Sequence, residues 1–313
     1  MRSRVLVTGA CGLLGSHLMA RLGRGREVTG TDRHPWWGDQ PAQVVEGDLS
    51  APDFLRALVD RVRPEAVVHC AAMTDVEACE KDPAAALALN AGVTGRLVRS
   101  LSPGCLFLYL STDAIFGGDA APYREADPPQ PRSAYARSKL QGEQEVRQAT
   151  PNHLIVRTNL YGWSSGRKRT FGEWLFKSLQ GGEPITLFED VFYTPIYTVD
   201  LAERIERLLE VKERGVVHLG GGETVSKARF GTLLAEAAGL SLKSVRFGSV
   251  REAPLAAARG GDTSLDGSRF RRWTGMDLPD CRSGIARFLK DRETPLSLRF
   301  AGQRANKQEA RVK

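Results

Sequence analysis

The chain has 313 residues, 42% hydrophobic and 26% charged, with a formal net charge of +7. That length supports one large domain or two modest ones with a substantial core, and the composition excludes a disordered or fibrous chain. Residues 299–313 hold Arg299, Arg304, Lys307, Arg311 and Lys313 against Glu309, which leaves only about +3 for the body; with no aromatic beyond Phe300, this basic tail reads as a frayed terminus and not as a nucleic-acid arm.

No stretch of 18 apolar residues occurs, so no membrane-spanning helix is expected. The opening MRSRVLVTGACGLLGSHLMA has the basic start and apolar run of a secretory signal, but three glycines and His17 break the run, and it reads as strand, turn and helix. Five scattered cysteines without a C-x-x-C pair suit reduced thiols in a cytoplasmic protein. No tight cluster of His, Cys and acids points to an integral metal, and a loosely bound Mg²⁺ is left open.

In chain order, RVLVTG reads as a buried strand ending at Gly9, and Leu14, Leu18 and Leu22 recur at helical spacing. EVTGTD is a second strand ending at Asp32, and AQVVEGD a third ending at Asp48. Ser50 with Asp53 has the spacing of a capping box for the helix in APDFLRALVDRV. AVVHCAA is a fourth strand; Asp82-Pro83 opens a long helix through about Leu101; CLFLYLS is a fifth strand, residues 133–149 a helix, and HLIVRT a sixth strand. Strands alternating with helices, without hairpin turns, predict a doubly wound parallel α/β sheet of Rossmann type over residues 1–161.

After Tyr161 the rhythm changes. EWLFKSL reads as a short amphipathic helix and ITLF as a strand; Asp200 is placed as the cap of LAERIERLLEVK, GVVHLGG is a strand, and Ser226 caps a helix closed by Gly239. A smaller substrate lobe is expected from residues 162–192 and 221–293, with residues 193–220 returning to the main sheet and 294–313 as the tail.

TGACGLLG sets Gly9, Gly12 and Gly15 between the first strand and the first helix. There backbone can approach a pyrophosphate closely and a helix N-terminus offers free N–H groups. Glycines alone are turn punctuation, but Asp32 ends the second strand 17 residues past Gly15, where a carboxylate accepts from the adenosine ribose. A dinucleotide cofactor is therefore expected, its turn formed with Cys11, Leu13 and Leu14. Asp32 favours NADH and Arg33 favours NADPH, so that choice stays open. Asp48 and Leu49 lie at the expected adenine edge, and Cys70, Ala71 and Ala72 end the fourth strand in small residues over which a cofactor can lie, with Thr74 beyond them expected to bind substrate, as are Thr112 and Asp113.

SAYARSKL puts Tyr135 and Lys139 one helical turn apart on one face. In isolation such a pair is usually solvated helix surface. Here it follows LSTD, which delivers Thr112 and Asp113 to the carboxyl edge where open α/β sheets bind ligands. Lys139 is expected to lower the pKa of the Tyr135 phenol and bind the nicotinamide ribose; Tyr135 is expected to protonate a carbonyl oxygen, and Thr112 to hold that oxygen.

The TGxxGxxG turn, the Ser/Thr after strand five and Y-x-x-x-K resemble the extended short-chain dehydrogenases/reductases. Within them, STDAIFGG, PYREADPPQP, YARSKLQGE, VVHCAAMTDVEACEKDP and TSLDGSRF resemble the dTDP-4-dehydrorhamnose reductases, over residues 4 to 290. The resemblance implies NADPH- or NADH-dependent reduction of the C4 keto group of a nucleotide-linked deoxysugar. The segment RTNLYGWSSGRKRTFGEWLF departs from the RTSWVYG then NF expected there, which bears on substrate identity. Asn159, Trp163 and Trp174 are candidates for the sugar-nucleotide pocket, with the core the favoured place for Trp174; the Arg167, Lys168, Arg169 run reads either as a contact for the substrate diphosphate or as a solvated loop, and Arg259 is a further diphosphate candidate. Sugar-nucleotide dehydratases carry an acid after Thr-Asp, where this chain has Ala114. A 4-epimerase, which needs only the tyrosine and tightly held NAD, is an alternative, as is a binding subunit like the regulatory subunit of methionine adenosyltransferase. A homodimer is compatible with the resemblance, and no nucleic-acid or membrane partner is expected.

Overall fold

The apolar runs of the first half become strands β1 (Arg4–Thr8), β2 (Glu27–Asp32), β3 (Gln43–Glu46), β4 (Ala66–His69), β5 (Leu106–Thr112) and β6 (His153–Thr158) in a computed structural model that describes residues 3–36, 43–164, 169–252 and 261–292. Between them lie helices α1 (Leu13–Leu22), α2 (Pro52–Val62), α3 (Val76–Lys81), α4 (Pro83–Leu87), α5 (Thr94–Ser100) and α6 (Ala134–Ala149). The chain continues through β7 (Leu160–Tyr161), α7 (Phe171–Gly181), β8 (Ile185–Phe188), β9 (Phe192–Tyr193), β10 (Ile196–Tyr197), α8 (Thr198–Leu208), β11 (Gly215–His218), β12 (Val225–Ser226), α9 (Lys227–Ala238), β13 (Val245–Gly248), α10 (Ser268–Thr274) and α11 (Cys281–Asp291).

The main sheet has the order β11-β6-β5-β4-β1-β2-β3, all parallel. Both faces are covered, which is why its strands read as unbroken apolar runs. Val5 and Val7 pack with Leu14 and Leu18 of α1 and Ile205 of α8, whereas Leu6 points the other way, to Leu55 and Leu58 of α2 and Leu97 of α5. Each such buried aliphatic contributes roughly 1.5–3 kcal/mol. A separate core of Tyr161, Phe176, Phe230 and Phe288 holds α7, α9 and α11 together.

Several local expectations give way to tertiary contacts. β3 ends at Glu46, and Asp48 instead closes a turn by accepting from the Ser50 amide and hydroxyl. This occupies Ser50, so α2 starts from Ala51 with Pro52 at its first position and has no capping box. The helix from Asp82 does begin there, its carboxylate accepting from Ala85 N at 2.9 Å, but residues Ala88–Val93 widen into a π turn. The Asn90 carbonyl in that turn accepts from both Thr94 Oγ1 and Tyr109 Oη, and its amide side chain grips the Met73 backbone. Asp200 lies inside the first turn of α8, with its carboxylate turned to Arg287, and caps nothing. Ser226 does cap α9, accepting from Arg229 N at 3.0 Å, and Gly239 closes it at φ 65°.

Candidate active site

The chain order reverses at β1 and β4, which are neighbours although β2 and β3 intervene in sequence, and this reversal opens a crevice at the strands' carboxyl ends. A cleft of about 660 Å³ lies there. The turn after β1 is packed against the end of β4: a Cβ on Gly9, which sits at φ 66°, would lie 2.8 Å from Ala71 N, and one on Gly15 would lie 2.0 Å from Gly9 O. Gly12 opens α1 with no side-chain cap, so the first amides of the helix face the cleft region.

All the sequence-predicted cofactor residues line this cleft, from Gly9 to Lys139, together with Thr74, Thr112, Asp113 and Asn159. The Asp32 carboxylate braces the glycine turn, accepting from Cys11 N at 3.0 Å and His34 N at 3.1 Å, with Arg33 beside it at the rim. Burial pushes the Cys70 thiol in the cleft up to about 12, so it is no nucleophile at neutral pH.

Two predicted positions behave otherwise than expected. Trp163 does not line the cleft; its indole donates to Phe288 O at 2.7 Å and stacks on the Phe288 ring at 4.3 Å, because an aromatic following β7 falls onto the second core. Asp113 is buried with its oxygens already engaged: Thr112 Oγ1 donates to one at 3.1 Å, and Asn159 Nδ2 and Thr263 Oγ1 donate to the other at 2.8 Å each. It therefore ties the end of β5 to two later segments instead of offering a free carboxylate. Arg259, Arg167 and Lys168 lie outside the described residues, whereas Arg169 lines the cleft.

Ser133 starts α6 by accepting from Ala136 N at 3.1 Å, and the helix carries Tyr135 and Lys139 to the cleft wall that Thr112 also lines. Lys139 is buried, its ammonium 4.0 Å from the centre of the Tyr109 ring. The acid–base expectation is reversed. Burial pushes the Tyr135 phenol well above its ordinary pKa, with Asp113 adding to the rise, and burial pushes Lys139 down to about 7 against the opposing pull of Glu143. For the phenol, desolvation outweighs the opposing influence of the Thr112 hydroxyl, so Tyr135 is held as the neutral acid.

Sequence reasoning missed Thr31, Thr158, Thr170 and Phe171, which also line the cleft. The hydroxyls of Thr31 and Thr158 are buried and make no hydrogen bond among the described residues, which suits a wall that receives a polar ligand such as a dinucleotide. Thr31 and Thr158 stand at strand ends and were open to the strand-end rule; Thr170 and Phe171 come from a remote turn with no local signal.

The fold and the cleft define an NAD(P)-type oxidoreductase of the doubly wound α/β class, with a tyrosine–lysine pair at the strand ends. The model of the family described as the RmlD substrate binding domain matches residues 3–294, and the chain belongs to that family. It is 31% identical over 288 residues to the probable low-salt glycan biosynthesis reductase Agl14 of Haloferax volcanii, covering 90% of this chain and 95% of that one. It is also 31% identical over 294 residues to dTDP-4-dehydrorhamnose reductase of Mycobacterium tuberculosis, covering 91% and 92%. A crystal structure of dTDP-4-dehydrorhamnose reductase from Bacillus anthracis in complex with NADP superposes with a TM-score of 0.83 at 27% identity, over 93% of this chain and 100% of that one.

Proposed function

We propose that the protein reduces the C4 keto group of a nucleotide-linked deoxysugar, with NADPH or NADH as hydride donor and Tyr135 as proton donor. The observation that carries this is the meeting of Thr112, Tyr135 and Lys139 at one wall of the cleft, in a chain whose relatives include named dTDP-4-dehydrorhamnose and dTDP-4-keto-6-deoxy-D-glucose reductases.

The nicotinamide supplies hydride to the carbonyl carbon. The chain's own part is to bind, orient and protonate. The glycine turn and the amides opening α1 receive the pyrophosphate, Asp32 accepts from the adenosine ribose, and Asp48, Leu49 and residues 70–72 flank the remainder. Lys139 binds the nicotinamide ribose. Tyr135 works as a general acid: the alkoxide that forms at C4 is a stronger base than a phenolate, so a phenol with a raised pKa still delivers its proton. Thr112, whose hydroxyl donates to Asp113 in the ligand-free chain, would hold the keto oxygen by turning that one proton toward it. Thr74 and Asn159 face the sugar, Asp113 holds the floor beneath it, and Arg169 and Arg259 are assigned to the diphosphate.

Among the described residues no group of His, Cys, Asp and Glu is placed to hold a metal ion, and no helix is long and apolar enough to cross a membrane. We assign the protein to the cytoplasm, where its five free cysteines would stay reduced, and a homodimer is part of this reading, checked by sedimentation. The deciding experiment incubates the protein with a panel of keto-sugar nucleotides and either reduced cofactor, with products read by mass spectrometry. A gain of two hydrogens, with matching oxidation of NADPH or NADH, supports the reductase. A cofactor that copurifies in stoichiometric amount, with isomerisation and no net oxidation, replaces it with the epimerase.

A further inference from the structure

The subfamily-like motifs form one chain of linked charges behind the cleft, fully buried at Glu143 and Arg157. Glu143 of the KLQGE run is fully buried, two turns past Tyr135 on the same face of α6. Its Oε1 accepts from Ser111 Oγ of β5 at 2.6 Å and from Arg157 Nε of β6 at 3.0 Å; its Oε2 accepts from Arg157 Nη2 at 2.8 Å and Arg147 Nη2 at 2.9 Å. Arg157, 2% exposed, donates onward to the carbonyl of Glu125 in PYRE. The Glu125 carboxylate accepts from His218 N at 3.0 Å and pairs with Arg269 of the SLDGSR element at 3.4 Å.

Such a network costs heavily in desolvation and is a poor way to gain stability alone, so its placement matters more than its strength. Ser111 immediately precedes Thr112, and Ser111 and Arg157 are register partners across β5 and β6. The clamp thus grips the sheet one residue from Thr112 and grips α6 one turn from Lys139. We infer that Glu143 is the positioning residue for the Tyr135 and Lys139 face, its carboxylate setting the height of α6 against β5 so that the phenol meets Thr112. Misplacement of a reacting group by about 1 Å costs on the order of a hundredfold in rate, which gives this clamp its consequence.

The same carboxylate is the negative charge nearest to Lys139 on its own helix. The other titratable groups facing Lys139 are Tyr135 on α6, Tyr109 on β5, and His69 and Cys70 at the end of β4. Removal of the Glu143 charge therefore leaves Lys139 with less support for its protonated form.

The inference rests on the reductase reading, and its test separates the two. In Glu143→Gln, kcat is expected to fall at least about tenfold while KM for the keto sugar changes by less than about threefold, and the alkaline limb of the pH profile moves to lower pH. Glu143→Asp, which keeps the charge but is one methylene shorter, is expected to restore the pH limb and not the kcat. A folded Glu143→Gln protein with kcat within about twofold of the unmodified chain and an unmoved pH limb overturns the inference. If that variant fails to fold, Ser111→Ala carries the test, since it removes one hydrogen bond and no charge: a kcat loss without a pH shift supports the clamp, and unchanged kcat overturns it. Absence of keto-sugar turnover by the unmodified protein defeats the reductase reading itself. The clamp is then judged by the pH dependence of NADPH binding, followed by fluorescence, in the unmodified chain and Glu143→Gln, an unmoved dependence overturning it.

Discussion

Replacing Tyr135 by Phe removes one oxygen and the proton it carries while keeping the ring that fills the cleft wall. Turnover is expected to drop by about 10²-fold or more with NADPH affinity nearly unchanged, checked by steady-state rates beside binary binding measurements. Lys139→Ala is expected to weaken both. Lys139 also leaves a mark on stability. With its pKa pushed down to about 7 by burial against an ordinary 10.5, the unfolded chain binds more protons than the folded one between those values, so stability from this group rises with pH across that window. The difference in urea-unfolding free energy between the ligand-free protein and Lys139→Met is expected to move in favour of the unmodified protein from pH 7 to pH 10, while the buried thiols, Cys70 among them, push both proteins the other way above about pH 9. Tyr135, Lys139, Thr112 and the three glycines were legible as residue types at fixed spacings. The direction of the Tyr135 shift was not, because spacing reports a neighbouring charge and says nothing of how dry the neighbourhood is.

Helix α6 approaches the sheet more closely than its apolar pattern alone would bring it. Gly142 makes this possible: a Cβ there would lie 2.2 Å from Tyr109 Oη and 2.6 Å from the Asn90 carbonyl. Gly142→Ala gains helix propensity but must push α6 outward, and a net loss of about 1–3 kcal/mol is expected in denaturant unfolding. Because the same helix carries Tyr135, the folded variant is also expected to lose turnover. Elements with strong internal periodicity or clear caps, such as α6 behind Ser133 and α9 between Ser226 and Gly239, were readable from sequence. The π turn at Ala88–Val93 was not, since it exists through hydrogen bonds from Tyr109 and to Met73, partners 17 to 19 residues away from Asn90.

Two histidines are held neutral inside the whole molecule. His69 bonds to Thr8 Oγ1 and Thr94 Oγ1 at 2.7 and 3.0 Å, His218 bonds to the Tyr123 carbonyl at 3.0 Å, and burial pushes each down to about 3. A depressed histidine stabilises the fold above the unfolded pKa near 6.5, and that contribution is lost as pH falls toward 3. Unfolding free energies from urea titrations are expected to decline below pH 6.5 at about 1.4 kcal/mol per pH unit for each histidine, and His69→Gln is expected to shallow the decline.

By itself the sequence determined the parallel sheet, the glycine turn, the acid at the end of β2 and the tyrosine–lysine face, because each is written in contacts between residues close in the chain or in a fixed period. Only the tertiary structure decided that Trp163 belongs to the second core, that Asp113 is a strut between segments, and that Glu143, Arg157, Glu125 and Arg269 join into one chain of charges. Those outcomes depend on which distant groups desolvation forces to satisfy one another, and a linear order of residues carries no record of that.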